Sequence, residues 1–209
     1  MSSSSMANRT QGSNNSQGRP LVLASASPRR TELMQEAGYV FEVMIPEVEE
    51  AHEESLTCEA LTVENARLKA RVIAGQRPDA VVIAADTLVY LDEKPIGKPR
   101  DMEEAAAMLR RLSGRTHKVC TGVAIMSAGG EEERTFPVIS EVTFKLLTDE
   151  IIRDYHSRIQ PLDKAGAYAV QDESAMIIAQ VEGSWSNVKG LPMERLMEEL
   201  QDLLDSAGS

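Results

Sequence analysis

Three features of the sequence predict an α/β fold built on a mixed β-sheet flanked by helices. The first apolar run, "LVLA" at Leu21 to Ala24, is the kind of short strand buried on both faces of a parallel sheet, and a helix start follows it directly. Apolar strand-like segments and amphipathic helix-like segments then alternate through the first half of the chain. Later, two long strand candidates are joined by "GGEEE", a hairpin connection that brings antiparallel pairing into the sheet.

The elements follow in order. Ser27 is placed to cap the first helix and Pro28 to open it; Leu33, Met34 and Ala37 form its apolar stripe, and Gly38 stops it. "YVFEVMI" is β-rich and runs into the acidic stretch "PEVEEAHEE". A helix is expected from about Cys58 to Ala74, with Leu61, Leu68 and Val72 on one face and Gly75 ending it. In "AVVIAADTLVYLDEKPIGKP" a buried strand is expected to break at Asp86 and Thr87, with a turn after it. Asp101 and Glu104 have capping-box spacing at the start of "DMEEAAAMLRRLSG", which ends at Gly114. "HKVCTGVAIMSA" and "RTFPVISEVTFKLL" form the hairpin, and "TDEIIRDYHSR" a short helix. "PLDKAGAYAVQ" reads as a loop leading into a strand, and "AMIIAQVEG" as another strand. The last helix, "PMERLMEELQDLLDSAG", aligns Leu196, Leu200, Leu203 and Leu204 on one side.

The 209 residues, 42% of them hydrophobic, suffice for one sizeable core or for two lobes around a cleft. Residues 1–19 are Ser/Asn/Gln/Gly-rich and read as a disordered tail, leaving residues 20–209 as a single domain. No apolar run reaches membrane-spanning length and no signal-peptide pattern opens the chain. Cys58 and Cys120 are far apart and in no CxxC pattern, which fits unpaired thiols in a reducing compartment, and the expected location is the cytoplasm. A net charge of −11 argues against a nucleic-acid binder but allows a small polyanion held in a local basic pocket with a divalent cation. His52, His117 and His156 have no metal-ligand spacing and read as surface or structural residues.

Several residues conflict with their expected surroundings. Arg29 and Arg30 lie in the first turn of a helix, where a cation opposes the macrodipole by a few tenths to about 1 kcal/mol. An anion bound there, held by backbone N–H groups, serine hydroxyls and forked guanidinium groups, resolves that conflict; the plain alternative is a pair of solvent-facing arginines. Asp86 puts a carboxylate at the edge of a core, near a strand end where open α/β sheets bind ligands; the alternative is a turn aspartate. "PLDKAGAYAVQ" spaces small residues as a close backbone approach to a ligand requires, though a plain loop explains it too. The cluster Glu47, Glu49, Glu50, Glu53 and Glu54 is either a solvated loop or the source of one metal-binding carboxylate.

The segments "SASPRR", "AADT", "GKP", "LSGRTHKVCTGVAI", "DKAGAYAVQ" and "GSWSNVKGLP" occur in one register. In them the chain, from Leu21 to Leu204, resembles the Maf family of nucleoside triphosphate pyrophosphatases. The resemblance implies an elongated mixed sheet flanked by helices, with two lobes around a central cleft as in inosine-triphosphatase-like folds, and a homodimer. It implies metal-dependent hydrolysis of a nucleoside triphosphate to the monophosphate and pyrophosphate, with Mg²⁺, Mn²⁺ or Co²⁺ as cofactor. The implied partner is a small nucleotide, with no nucleic acid and no membrane. On matching positions, Ser25, Arg29, Arg30, Lys69 and Lys98 are implied in phosphate contact, Glu50 in metal or triphosphate handling, and Asp86 as proton acceptor. Arg29, Thr87 and Gln171 match positions linked to base specificity, and glutamine at the last fits the branch acting on dTTP and UTP. Asp163 and Lys164 match a further family motif.

The chain departs from the family pattern at Asp172-Glu173-Ser174, where a glycine-rich continuation is usual, and at Trp185, where tyrosine is usual. Alternatives therefore remain within the same chemistry: 7-methyl-GTP, whose branch tends to carry an acidic residue in place of Gln171, or modified pyrimidine nucleotides. The family's link to arrest of septum formation adds another, a nucleotide-sensing regulator of cell division with incidental turnover. Asp86 together with the basic set favours an enzyme. The roles of Asp86 as general base and as metal ligand both stay open.

Overall fold

The computed structural model describes residues 19–51, 56–170 and 173–206. Seven strands form a mixed sheet in the order β2-β1-β3-β5-β6-β7, with β4 attached to β3. β1 (Leu21–Ala24) runs parallel to β2 (Glu42–Met44) and to β3 (Val81–Leu91). β3, β4 (Lys94–Ile96), β5 (Thr116–Ser127), β6 (Glu132–Phe144) and β7 (Ile178–Glu182) pair antiparallel. The expected β5–β6 hairpin is present, continuous from Thr116↔Thr143 to Ser127↔Glu132.

β3 is the organising strand. Its neighbour on one edge changes along its length: β1 pairs with Val81–Ile83, and β4 pairs from Val89 onward. Between these, Ala84–Leu88 keeps a strand neighbour only on the β5 side among the described residues. This gap in the sheet is where the chain leaves β1 through Ser25 into helix α1 (Pro28–Glu36).

The strand's alternation divides the core at the same place. On one face, Val81, Ile83 and Ala85 pack with Leu33 and Met34 of α1 and with Met193, Leu196 and Leu200 of helix α7 (Met193–Ser206). Farther along that face, Val89 and Leu91 belong to a separate cluster with Leu109 and Leu112 of helix α3 (Met102–Leu112) and Ile152 and Tyr155 of helix α4 (Asp149–Arg158). Thr87 lies between these two blocks. On the other face, Val82 and Ala84 meet Ala66, Ala70 and Ile73 of helix α2 (Cys58–Gln76), and Asp86 follows them. Two short helices, α5 (Ser174–Ile177) and α6 (Trp185–Lys189), flank β7.

Several local expectations are corrected. β3 does not break at Asp86 and Thr87 but runs through them, because both stay in register with Gly122 and Thr121 of β5 and their polar atoms find partners. α2 passes through Gly75 to Gln76 and stops before Pro78, whose ring disfavours a helical conformation at Arg77. Its buried face is not Leu61, Leu68 and Val72: Leu61 is buried with Asn65, Ala66, Ala70 and Ile73, whereas Val72 is exposed. The Asp101–Glu104 box is half made. Asp101 accepts from the Glu104 N–H at 2.8 Å, but the Glu104 carboxylate turns to Arg100. The segment after "PLDKAGAYAVQ" forms α5 before β7 begins, and α6 had no signal in the periodicity. Leu196 and Leu200 are buried as expected; the side chains of Leu203 and Leu204 lie outside what the structure describes.

Cys58 and Cys120 are buried free thiols, and burial foremost pushes Cys58 up to about 12, the range of an unreactive thiol. Among the described residues no helix is long and apolar enough to cross a membrane.

α2 lies unusually close to the sheet at one point. A Cβ on Gly122 would overlap the backbone of Thr62 and Val63, so only glycine permits that approach. Gly122→Ala is expected to lower stability by about 1–3 kcal/mol, the usual penalty of overpacking, as read by denaturant unfolding.

His117 is buried edge-on against Phe144 and Tyr168, with ring centroids 5.0 and 5.3 Å away, and its Nε2 lies 2.7 Å from the Tyr168 hydroxyl. Burial holds its pKa down at about 4. An unfolded histidine titrates near 6.5. Between about 6.5 and 4 the unfolded chain therefore takes up a proton that the fold refuses, and stability falls as pH drops through this window. Lowering the pH from 7 to 5 should cost the parent roughly 2 kcal/mol more unfolding free energy than it costs His117→Phe, measured by urea melts at both pH values.

Candidate active site

The α2 face of β3 carries a carboxylate with both oxygens engaged. Asp86 is 6% exposed; its Oδ1 accepts from Lys69 Nζ at 2.7 Å and its Oδ2 from Asn65 Nδ2 at 3.2 Å. Asn65 and Lys69 are four residues apart on α2 and so project from one face of the helix. Lys69 Nζ also lies 2.7 Å from Glu50 Oε1, so two carboxylates converge on one ammonium. Asn65 in turn holds Ala51 by both backbone groups: Oδ1 accepts from its N–H at 2.7 Å and Nδ2 donates to its C=O at 3.3 Å. The glycine contact at Gly122 lets the α2 side chains reach this depth.

The opposite face of β3 is organised by Arg30. Its Nε donates to the Gly190 carbonyl at 2.7 Å, Nη1 to Ser25 Oγ at 3.2 Å and Nη2 to Thr87 Oγ1 at 3.0 Å. Thr87 Oγ1 lies 2.9 Å from Thr121 Oγ1, and Thr121 donates to the Asn187 carbonyl. Gly190 adopts φ +114°, a left-handed conformation that favours glycine, and this turns its carbonyl inward. Burial pushes the Arg30 guanidinium down to about 10, with Arg29 adding to the shift and the charges of Asp86 and Glu50 opposing it. It remains a cation at neutral pH. The network thus ties α1, β3, β5 and the α6–α7 junction together at the gap in the sheet.

The remaining residues singled out in the sequence are distributed around this centre. Ser25 is buried and accepts from the Ser27 N–H as well as from Arg30. Ser27 is the N-cap residue of α1 and Pro28 its first residue, but the Ser27 side chain makes no cap bond. Arg29 donates to no described residue; its charge acts on Arg30 and on Asp163. Lys98 is exposed on the loop after β4, with no hydrogen bond or ion pair to a described residue. The neighbouring Gly97 carbonyl accepts from the Gly166 N–H at 3.0 Å, which fastens the "GKP" loop to the "DKAGAY" loop. Lys164 turns back on its own loop, to Asp163 at 2.6 Å and the Gln160 carbonyl at 2.7 Å. The Asp163 carboxyl is penalised by partial burial, yet Lys164 and the charge of Arg29 hold it below the usual carboxylate range. Gln171, Asp172, His52, Glu53 and Glu54 lie outside the described residues.

Sequence reasoning passed over Asn65, Thr121, Asn187 and Gly190. Asn65 carried one signal: a polar residue on the buried face of α2, one turn before Lys69.

The two adjacent arginines differ in their anchoring, and so should their substitutions. Arg30→Ala removes three hydrogen bonds at once, to the Gly190 carbonyl and to the Ser25 and Thr87 hydroxyls, and is expected to lower stability by about 1–3 kcal/mol. Arg29→Ala should stay within about 0.5 kcal/mol of the parent. Thermal or urea melts of the two variants, side by side, check the difference.

The family profile described as Maf-like protein matches residues 20–203. A dTTP/UTP pyrophosphatase of Akkermansia muciniphila is 47% identical over 184 residues, covering 88% of this chain and 96% of the relative. Those of Myxococcus xanthus and Carboxydothermus hydrogenoformans are 48% and 44% identical, covering 90% and 87% of this chain and 92% and 97% of theirs. A solved HAM1 protein from Coxiella burnetii matches at a TM-score of 0.42 and 24% identity, over 60% of this chain and 73% of that one. The profile spans both sides of the centre built around Asp86, from β1 to α7, and on that match the chain belongs to the Maf-like protein family.

Proposed function

We propose that the chain is a nucleoside triphosphate pyrophosphatase acting on dTTP and UTP, with residues 20–209 as its catalytic unit. The observation that carries this reading is the convergence of Asp86, Glu50 and Lys69 beside the first turn of α1, which carries Arg29 and Arg30. The names of the relatives support the substrate.

A triphosphate is a dense negative charge, and catalysis of its hydrolysis is mostly positioning and charge stabilisation. In the reaction, water forms a bond to the α-phosphorus as the bond to the α–β bridging oxygen breaks. The electron pair leaves with pyrophosphate, and the water gives up a proton. Arg29, without a hydrogen-bond partner among the described residues, is available to the phosphates. Arg30 holds Ser25 and the Gly190 turn that shape the loop. Lys69 has its ammonium between two carboxylates and can exchange one of them for a phosphate oxygen.

The donor set fits a hard divalent cation. Glu50 and Asp86 are oxygen ligands that already meet at one cationic point, and Mg²⁺ is typically held by one or two carboxylates plus phosphate oxygens and water. Among the described residues there is no group of three or more His, Cys, Asp or Glu able to hold a metal unaided. Bound there, such a cation would neutralise charge on the phosphates. Asp86 takes the proton of the attacking water or anchors the cation.

The test is a panel of nucleoside triphosphates with Mg²⁺, Mn²⁺ or Co²⁺, scored for pyrophosphate against orthophosphate. Pyrophosphate from dTTP and UTP is expected, and Asp86→Asn should abolish it while the fold persists. Metal-dependent nucleotide binding retained by Asp86→Asn assigns the proton-accepting role, and lost metal dependence assigns the ligand role. Gln171→Glu should lower the kcat/KM ratio of UTP to GTP by roughly ten- to a hundredfold, the worth of one mismatched polar contact to the base. Orthophosphate release, or an active Asp86→Asn, refutes the reading.

A further inference from the structure

We propose that Asn65 is a positioning residue for the reaction: its amide locks the Glu50–Ala51 segment to Asp86, fixing the separation of the two carboxylates that flank Lys69. This rests on the reading of Asp86 and Glu50 as the working carboxylates.

The geometry is specific. Asn65 is 2% exposed, and its side chain makes three hydrogen bonds. Two go to the same residue, to the Ala51 N–H and C=O, which pairs the amide with the peptide as one strand pairs with another. The third, from the same nitrogen, reaches Asp86 Oδ2. A side chain serving only to satisfy a loop would need the first two alone. Glu50 is bonded to Ala51, so fastening the Ala51 peptide limits where the half-exposed Glu50 carboxylate can go. The Lys69 ammonium then bridges Glu50 to Asp86 Oδ1. The two attachments differ in kind. Lys69 is a charge that a phosphate can draw away, whereas the Asn65 amide carries no net charge for an anion to attract. When Lys69 turns to substrate, Asn65 is what still holds the two carboxylates together.

No other side chain type serves all three bonds at this place. Aspartate has the shape but lacks both N–H groups and sets a second carboxylate against Asp86. Leucine fits the neighbouring apolar face but leaves the Ala51 peptide and Asp86 Oδ2 without their partner.

The experiment compares the parent with Asn65→Asp and Asn65→Leu in the full chain, using dTTP and Mg²⁺ at a temperature where circular dichroism shows each folded. The expected result is a fall in kcat of about ten- to a hundredfold, as displacements near 1 Å produce, with KM for dTTP within about threefold. The Mg²⁺ concentration for half-maximal rate should rise in both variants. A variant that melts lower but keeps kcat and the Mg²⁺ requirement of the parent shows a merely structural role and overturns the proposal. Amide exchange in the unsubstituted chain provides a measurement independent of activity and of how the variants fold. The Ala51 N–H should exchange slowly, and exchange at the rate of a free peptide overturns the proposal. Asp86→Asn is run alongside. Its inactivity with an unaffected Asn65→Asp defeats this inference alone, whereas an active Asp86→Asn defeats the reading it rests on.

Discussion

A carboxylate placed in the middle of a buried strand is the constraint on which this structure turns. Asp86 sits within an eleven-residue strand paired along one side with β5 and has almost no contact with solvent. Such a group is tolerated only when its oxygens are bonded and its charge answered. Both conditions are met from one helix, by Lys69 and Asn65. They can be met only because α2 touches the sheet at a residue without a side chain, Gly122, directly beside Asp86 in the ladder. The alanine-rich face of α2 follows from the same closeness: Ala66, Ala70 and Ala74 pack where larger residues would lift the helix away.

The arginine pair obeys a second version of this logic. Two cations in the first turn of α1 face the unfavourable end of the helix dipole. Arg30 is stabilised by directed acceptors, the Gly190 carbonyl and two hydroxyls, and by the nearby charges of Asp86 and Glu50. Arg29 has no such set of acceptors among the described residues. Adjacent and chemically identical, one residue is tied into the fold and the other donates to no described residue. Because Arg30 also contacts Thr87, the two faces of β3 are linked through a single residue pair, Asp86 and Thr87, at the one stretch where the strand lacks a neighbour on its β1 and β4 edge.

Much of this was readable in the sequence. The mixed sheet, the β5–β6 hairpin, the helix starts at Pro28 and Cys58 and the buried faces of α1 and α7 follow from local pattern. The motifs singled out Ser25, Arg30, Lys69, Thr87, Glu50 and Asp86, and the structure brings all six into one connected neighbourhood. Lys98, Asp163 and Lys164 were legible as motifs too; they occupy a pair of loops joined through Gly97 and Gly166, and the charge of Arg29 reaches Asp163. Thr121, Asn187 and Gly190 lay inside motifs without being singled out, and Asn65 carried only its place on the buried face of α2; their partners lie on other elements, up to 160 residues away for the Arg30–Gly190 contact.

The sequence by itself determined most of the strands and the longer helices, since hydrophobic period, caps and turn residues act over a few neighbours. It also determined the charge conflict at Arg29 and Arg30 and the odd carboxylate at Asp86, which are local violations of local rules. Tertiary structure alone decided how each conflict is resolved. That β3 continues through Asp86 instead of ending there depends on β5 pairing and on two side chains from α2; that Arg30 is a structural tie depends on a carbonyl 160 residues away. The physical reason is that the energy of a buried polar group is set by its bonded partners, and those partners are assembled only when distant elements pack.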